Sequence, residues 1–144
     1  MHISFDIDDT LICYHPEIPQ EPNRIPWLFR HWLHEPLRLG ARDLLQELCR
    51  LGCRISIYTT SYRSRKSLKW MMWFYGIRIQ EVINQYVHDD TFRRDQRRPP
   101  SKWPSIFGID LHVDDSEGVA IEGKEYGFDV VVVDPFDRNW QRRC

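Results

Sequence analysis

The chain has 144 residues, 42% hydrophobic and 28% charged, the balance of a soluble globular protein. That excludes disorder, collagen-like repeats and coiled coil, and apolar runs such as Val130 to Val133 are far too short to span a bilayer. Twenty basic residues, sixteen of them Arg, against 21 acidic ones give a net charge of −1, so net charge does not indicate nucleic acid as a partner, and no membrane association is expected.

The length predicts a single domain over 1–144, able to bury a core without disulfide or metal staples. Residues 2–7 form a β-prone run ending in carboxylates. Residues 12–26 hold four of the nine prolines, which rules out a regular helix or a central strand. A proline-rich surface excursion is therefore predicted at about 12–36. Within it, Pro26 suits the first turn of a helix carrying Trp27, Leu28, Phe29, Trp32 and Leu33, and Pro36 ends that helix. These aromatics are expected to pack into the core rather than form a lid.

A second helix is predicted from Ala41 to Leu51, with Leu44, Leu45, Leu48 and Leu51 on one apolar face and Gly52 as its stop. Arg54 to Tyr58 reads as a strand, and residues 63–75 as a helix ending at Gly76. The second half of that helix, Trp70 to Tyr75, is apolar nearly all round, which implies burial on two sides or a partner surface. Val82 and Ile83 suggest a short strand, and residues 93–104 a basic, proline-bearing loop. Leu111 to Val113 form a strand running into Asp114 and Asp115. A glycine-interrupted helix follows at Val119 to Tyr126, then a continuous apolar strand at Phe128 to Val133, expected to be buried on both faces. Strands alternating with helices mean an α/β fold with a parallel sheet covered on both sides. Cys13, Cys49, Cys53 and Cys144 make no CxxC pair and no zinc spacing. Free thiols and the lack of a cleavable signal pattern point to the cytoplasm.

In such sheets the site lies beyond the carboxyl ends of the strands. There the sequence places Asp6, Asp8, Asp9 and Thr10, then Thr59, Thr60 and Ser61, then Asp114 and Asp115, with Lys102 just before the last of these strands. Several carboxylates at one edge repel unless a cation joins them. Hard oxygen ligands without a His or Cys cluster suit Mg2+. Asp6 and Asp8 are two residues apart, so an extended segment puts both on one face.

Ile3-Ser4-Phe5-Asp6-Ile7-Asp8-Asp9-Thr10-Leu11 resembles the first motif of the haloacid dehalogenase (HAD) superfamily, a hydrophobic strand followed by DxDxT. Ile57-Tyr58-Thr59 is similar to its second motif, Lys102 sits where its third places a Lys, and Val113-Asp114-Asp115 resembles its acidic fourth. The four come in the family's order, from residue 3 to about residue 134. The resemblance implies a Rossmannoid three-layer sandwich with a mostly parallel central sheet and a Mg2+-dependent phosphatase acting through an aspartyl phosphate. Asp6 would be the nucleophile and Asp8 the general acid and base. Thr59 would hold a phosphoryl oxygen by hydroxyl and backbone N–H, and Lys102 would neutralise Asp6 and the transferring group. Mg2+ would bind Asp6, the carbonyl of Asp8 and the acidic pair, with Asp115 as the direct ligand and Asp114 as its support.

The intervals between the motifs are too short for a large cap domain, so the site is expected to be open to a phosphorylated macromolecule or small molecule. Lys66 or Lys69 could take the place of Lys102, which lies unusually close to the next strand. A metal- and phosphate-binding module without turnover, and a phosphotransferase, are the alternative functions. Arg63, Arg65, Lys66 and Lys69 oppose the dipole of the helix they open, which invites an anionic partner such as a substrate phosphate, although any one of them taken singly reads better as part of a solvated face. Arg93, Arg94, Arg97 and Arg98 either line the mouth of the site or form a solvated loop. Asp9 and Ser116 are equally suited to capping local backbone. His31 and His34 read as ordinary histidines. His112 shares the face of Asp114, as Ser4 shares that of Asp6, so a polar layer beneath the carboxylates is foreseen, with His112 hydrogen-bonded in the core.

Overall fold

Among the described residues, five short strands form one sheet: β1 His2–Phe5, β2 Arg54–Tyr58, β3 Val82–Ile83, β4 Leu111–Asp114 and β5 Asp129–Val132. A computed structural model describes residues 1–93 and 99–144 of the chain. The sheet order is β3-β2-β1-β4-β5 and every pairing is parallel. Parallel neighbours require crossovers, and helices supply them: α1 Arg30–Leu33, α2 Ala41–Arg50, α3 Arg65–Phe74, α4 Gln85–Phe92 and α5 Glu117–Tyr126. The result is an α/β Rossmann-like three-layer sandwich. The chain leaves β1 toward β2 on one side and reaches β4 on the other. The cleft between the ends of β1 and β4 therefore lies at the topological switch point.

The register sorts side chains by parity. Ile3 and Phe5 stand beside Ile55 and Ile57 on one flank and Leu111 and Val113 on the other, all on one face of the sheet. That face joins Leu45 and Leu48 of α2 and Leu68, Met71 and Met72 of α3 in the main core. The alternate residues His2, Ser4, Ser56, Tyr58 and His112 face the opposite side and are buried as well.

Local corrections follow from packing. In α2 the buried residues are Ala41, Leu45 and Leu48, whereas Leu44 is only half-buried and Leu51, just past the helix, is exposed. The apolar stripe runs through 41, 45 and 48 rather than on to 51. β5 ends the sheet on one side, and its faces are not fully covered: Asp129 is exposed, and Val130, Val131 and Val132 are half-buried. α4 has no counterpart in the sequence reading. It is capped by the Asn84 side chain, which accepts from the Val87 N–H at 3.2 Å, and its one buried side chain is His88. A polar helix anchored by a histidine carries no apolar period to read.

The excursion crosses the apolar face and inserts Ile12, Ile18, Ile25 and Leu37. Buried Arg38 pins its far end, donating to the carbonyls of Asp134 (2.7 Å) and Asp137 (2.8 Å) with its guanidinium 4.6 Å from the Trp140 ring centre. The helix expected after Pro26 is instead a 3-10 turn over Trp27–Phe29 followed by the single turn of α1. Neither piece buries a residue, and Trp27 (79% exposed) and Trp32 (72%) stand in solvent rather than in the core. Among the described residues no helix is long and apolar enough to cross a membrane.

Candidate active site

β1 hands its last ladder bond to Asp6, whose N–H donates to the Val113 carbonyl at 2.8 Å. This fixes the Asp6 backbone next to the end of β4, where Asp114 is the final residue. Both carboxylates are buried, and so is Lys102. Lys102 Nζ donates to Asp6 Oδ1 at 2.6 Å and to Asp114 Oδ2 at 2.5 Å. The segment around Lys102 is held from two sides. The Ser101 N–H donates to Glu122 of α5 at 3.0 Å, and the Trp103 N–H donates to the Tyr58 hydroxyl at 3.0 Å. Lys102 lies close to β4 in sequence, and these anchors turn that short approach into a buried bridge. Lys66 is exposed on α3, and Lys69 donates to the Gln80 carbonyl, so neither stands in for Lys102.

Beneath the carboxylates runs the polar layer. Asp114 Oδ2 meets His112 Nε2 at 2.9 Å, and His112 Nδ1 meets Ser4 Oγ at 2.7 Å. Burial pushes the His112 pKa down to about 4, so the ring is neutral. A carboxylate only accepts, so Nε2 carries the proton and Nδ1 accepts from the Ser4 hydroxyl. Burial acts to raise Asp114, but the His112 bond and the Lys102 charge outweigh it and hold that carboxyl well below the usual range. Asp6 goes the other way: burial, helped by the neighbouring Asp114 and opposed by Lys102, pushes it up to about 6.

Asp115 is half-buried, and its nearest bond is a long one from the Thr10 hydroxyl at 3.5 Å. Burial, and then the charge of Asp114, raise its pKa. Ligand oxygens of Asp6, Asp114 and Asp115 all lie within 4.8 Å of one another, the one such group among the described residues. His31 and His34 contribute to no such group.

Asp8 sits at the rim. The turn after β1 puts Asp9 at φ 58°, a left-handed conformation that aspartate tolerates better than most residues, and returns the Leu11 and Ile12 N–H groups to the Ile7 carbonyl. Asp6 and Asp8 line one cleft of about 300 Å³ together with Lys102, Asp114 and Asp115. Both Asp8 oxygens accept from Arg63, at 2.8 and 2.9 Å, and Arg63 Nε donates to Glu35 at 2.8 Å. Tyr14 donates to the same Glu35 oxygen at 2.8 Å. Arg63 thus ties the excursion to the mouth of the cleft.

At the end of β2, Thr59 is buried and its backbone N–H is taken by the Ile83 carbonyl at 2.9 Å, while its hydroxyl accepts from the Ser61 N–H at 3.1 Å. Thr60, the next residue, lines the cleft instead. The Ser116 side chain makes no capping bond, and its N–H donates to Asp114 Oδ1 at 2.9 Å. Arg93 pairs with Asp90, and Arg94, Arg97 and Arg98 lie outside the described residues.

Arg63, Glu35, Glu122, Tyr58 and His88 are site-supporting residues that sequence reasoning missed or left as surface. For Arg63 the signal was a cation opening a helix against its dipole, and its partner was already within the chain. The Tyr58 hydroxyl meets His88 Nδ1 at 2.6 Å, and no spacing rule links the two positions.

The chain matches no protein-family description and no curated protein. Among solved structures it is similar to a hypothetical protein from Pyrococcus horikoshii, with 17% identity over 91% of this chain and 40% of that one and a TM-score of 0.43. It is also similar to DsGPDH of Dunaliella salina, with 18% identity over 92% of this chain and 23% of that one and a TM-score of 0.49. The chain therefore spans less than half the length of either protein.

Proposed function

We propose that the chain is a HAD-type phosphatase that hydrolyses phosphate monoesters through an aspartyl phosphate with the help of Mg2+. The observation that carries this reading is the buried Asp6–Lys102–Asp114 bridge with Asp115 beside it, set at the switch point of a parallel sheet. The donor set fits the metal: three carboxylates within reach of one another, all hard oxygen. Asp6, Asp115 and the Asp8 carbonyl would hold the ion, with Asp114 as support because Lys102, His112 and Ser116 already occupy its oxygens. When bound, Mg2+ supplies positive charge to the carboxylates and to a phosphoryl oxygen.

The chain's own residues then account for the reaction. An Asp6 oxygen attacks phosphorus as the bond to the leaving oxygen breaks, and Lys102 offsets the charge that gathers there. Asp8 gives its proton to the leaving oxygen, then takes one from the water that attacks the phosphoryl group and releases Asp6. With both oxygens accepting from Arg63, Asp8 is a carboxylate, so it must turn away from Arg63 to act as an acid. That same pair favours a second reading, a metal- and phosphate-binding module in which Arg63 holds Asp8 permanently.

Hydrolysis of an aryl phosphate separates the two. The phosphatase releases the phenol with Mg2+, stops with chelator, and is silent as Asp6→Asn. No release from folded protein, with Mg2+ still bound in calorimetry, supports the module. Turnover by Asp6→Asn overturns the nucleophile.

A further inference from the structure

The surface formed by the Trp27–Leu33 turn and the outer side of α3 has no role in the chemistry above. It holds four of the six tryptophans, Trp27, Trp32, Trp70 and Trp73, all exposed, together with exposed Leu28 and Phe29. The two elements adjoin: Phe29 packs on Phe74 with ring centres 5.7 Å apart, and Trp32 shares a hollow with Ser67 and Met71 of α3. This turn buries none of its own residues completely: Leu33 is half-buried against the core and Phe29 rests on Phe74, while Trp27, Leu28 and Trp32 stay in solvent, more apolar surface than its packing within this chain requires. On α3 the buried positions are Leu68, Met71 and Met72, so Lys66, Lys69, Trp70 and Trp73 share the outer side. Below Trp70 and Trp73 lies an apolar hollow of about 480 Å³, floored by Ile77 and Ile79 and flanked by Lys69 and Arg78.

Charge says what this surface meets. Residues 24–34 and 63–80 contain seven Arg and Lys and not one Asp or Glu, in a chain whose net charge is −1. Of these, Arg63 is turned inward to Asp8 and Glu35, and Arg65 lies 3.9 Å from Glu81, while Lys66, Lys69 and Arg78 are exposed. Tryptophan and leucine interleaved with lysine and arginine suit the boundary between anionic headgroups and acyl chains. Stacking of nucleobases fits less well. Trp70 and Trp73 meet edge-to-face (5.6 Å, 81°) and Trp73 meets Phe74 at 66°, so these rings are not parallel as a stacking platform for successive bases would be, and Leu28 offers no face at all. We propose that this side of the molecule is a peripheral docking surface for an anionic phospholipid membrane. The short apolar runs that exclude a spanning helix place no limit on such surface attachment.

Co-sedimentation with vesicles tests it. The full chain should bind vesicles of equimolar phosphatidylcholine and phosphatidylglycerol at least about ten-fold more tightly than phosphatidylcholine alone, and high salt should weaken that binding. Tryptophan emission should shift to the blue on binding and be quenched by brominated lipid, which reads contact without any substitution. Trp70→Ala/Trp73→Ala and Lys66→Glu/Lys69→Glu should each weaken binding at least about ten-fold while the circular dichroism spectrum stays that of the folded chain, and Ile121→Ser, an exposed residue on α5, should leave it intact. Folded protein that ignores both vesicles overturns the proposal, as does binding that survives both double variants. Oligothymidylate binding lost in those variants without lipid binding, or a tryptophan-burying dimer without lipid binding, overturns it in favour of a nucleic-acid or self-association surface.

Discussion

The two faces of the central sheet are made from alternate residues of the same strands, yet they are built on different physics. On one, Ile3, Phe5, Ile55, Ile57 and Val113 press against α2 and α3 in a cluster made mostly of aliphatic side chains. On the other, His2 Nε2 meets Ser56 Oγ at 2.7 Å, Ser4 meets His112, and Tyr58 meets His88, each pair buried. The apolar face needs only the right volumes, since burial has no direction. The polar face needs every donor matched to an acceptor, because an unpaired buried group costs about 1–3 kcal/mol. What that precision achieves is visible at its upper edge. The layer continues from Ser4 through His112 into Asp114, Lys102 and Asp6, so the side chains of the candidate site inherit their orientation from the sheet below. One face supplies stability, and the other supplies placement.

Substitutions can break that contrast, beginning with the largest effect. Asp6→Asn should lower aryl phosphate turnover by roughly 10³-fold or more while the circular dichroism spectrum stays that of the folded chain. A variant that unfolds would move Asp6 into the structural class. Phe5→Ala, one residue earlier and on the other face, should destabilise the protein by about 3–5 kcal/mol in urea unfolding. At temperatures where the variant remains folded, its kcat should stay close to the parent's, and a collapse of kcat there would blur the division.

The pH dependence of stability in chelator sharpens the comparison next. His112 is held at about 4 against an ordinary 6.5, so its contribution is present above pH 6.5 and is lost as pH falls toward 4. Asp6 is raised from 3.8 to about 6, so its contribution is present below 3.8 and is lost as pH rises through 6. Each amounts to about 3 kcal/mol, and between pH 4 and 6 the two slopes oppose. The parent should therefore show a shallow profile there, and Asp6→Asn a steep loss of stability toward acid. Parallel profiles for the two proteins would contradict the assignment. The smallest effect is expected from Ser4→Ala, about 1–3 kcal/mol in the same unfolding assay, because the neutral His112 loses the donor to its Nδ1. Ser4→Thr, which keeps the hydroxyl, should recover more of kcat than Ser4→Ala does.

Much of the site is legible in the sequence. Asp6, Asp114 and Asp115 announce themselves because a polar residue ending an apolar strand needs a reason, and strand order brings those ends together. The hydrogen-bonded place of His112 followed from its two-residue step to Asp114. Lys102 was marked by its place in the order of the motifs, but its buried bridge depends on anchors on α5 and β2. Other features had no local signature. Arg63 found its carboxylates on a turn and an excursion far away in sequence. α4 hides behind a polar pattern.

The order of strands and helices, the parallel sheet and the carboxylate-tipped strands were determined by the sequence itself, because period, proline and strand-end chemistry act over a few residues. Which side chains meet was decided only by the tertiary structure. The Lys102 bridge, the Asp8–Arg63 pair, the edge position of β5 and the exposure of Trp27 and Trp32 depend on groups distant along the chain, and local pattern has no term for a contact whose partner lies tens of residues away.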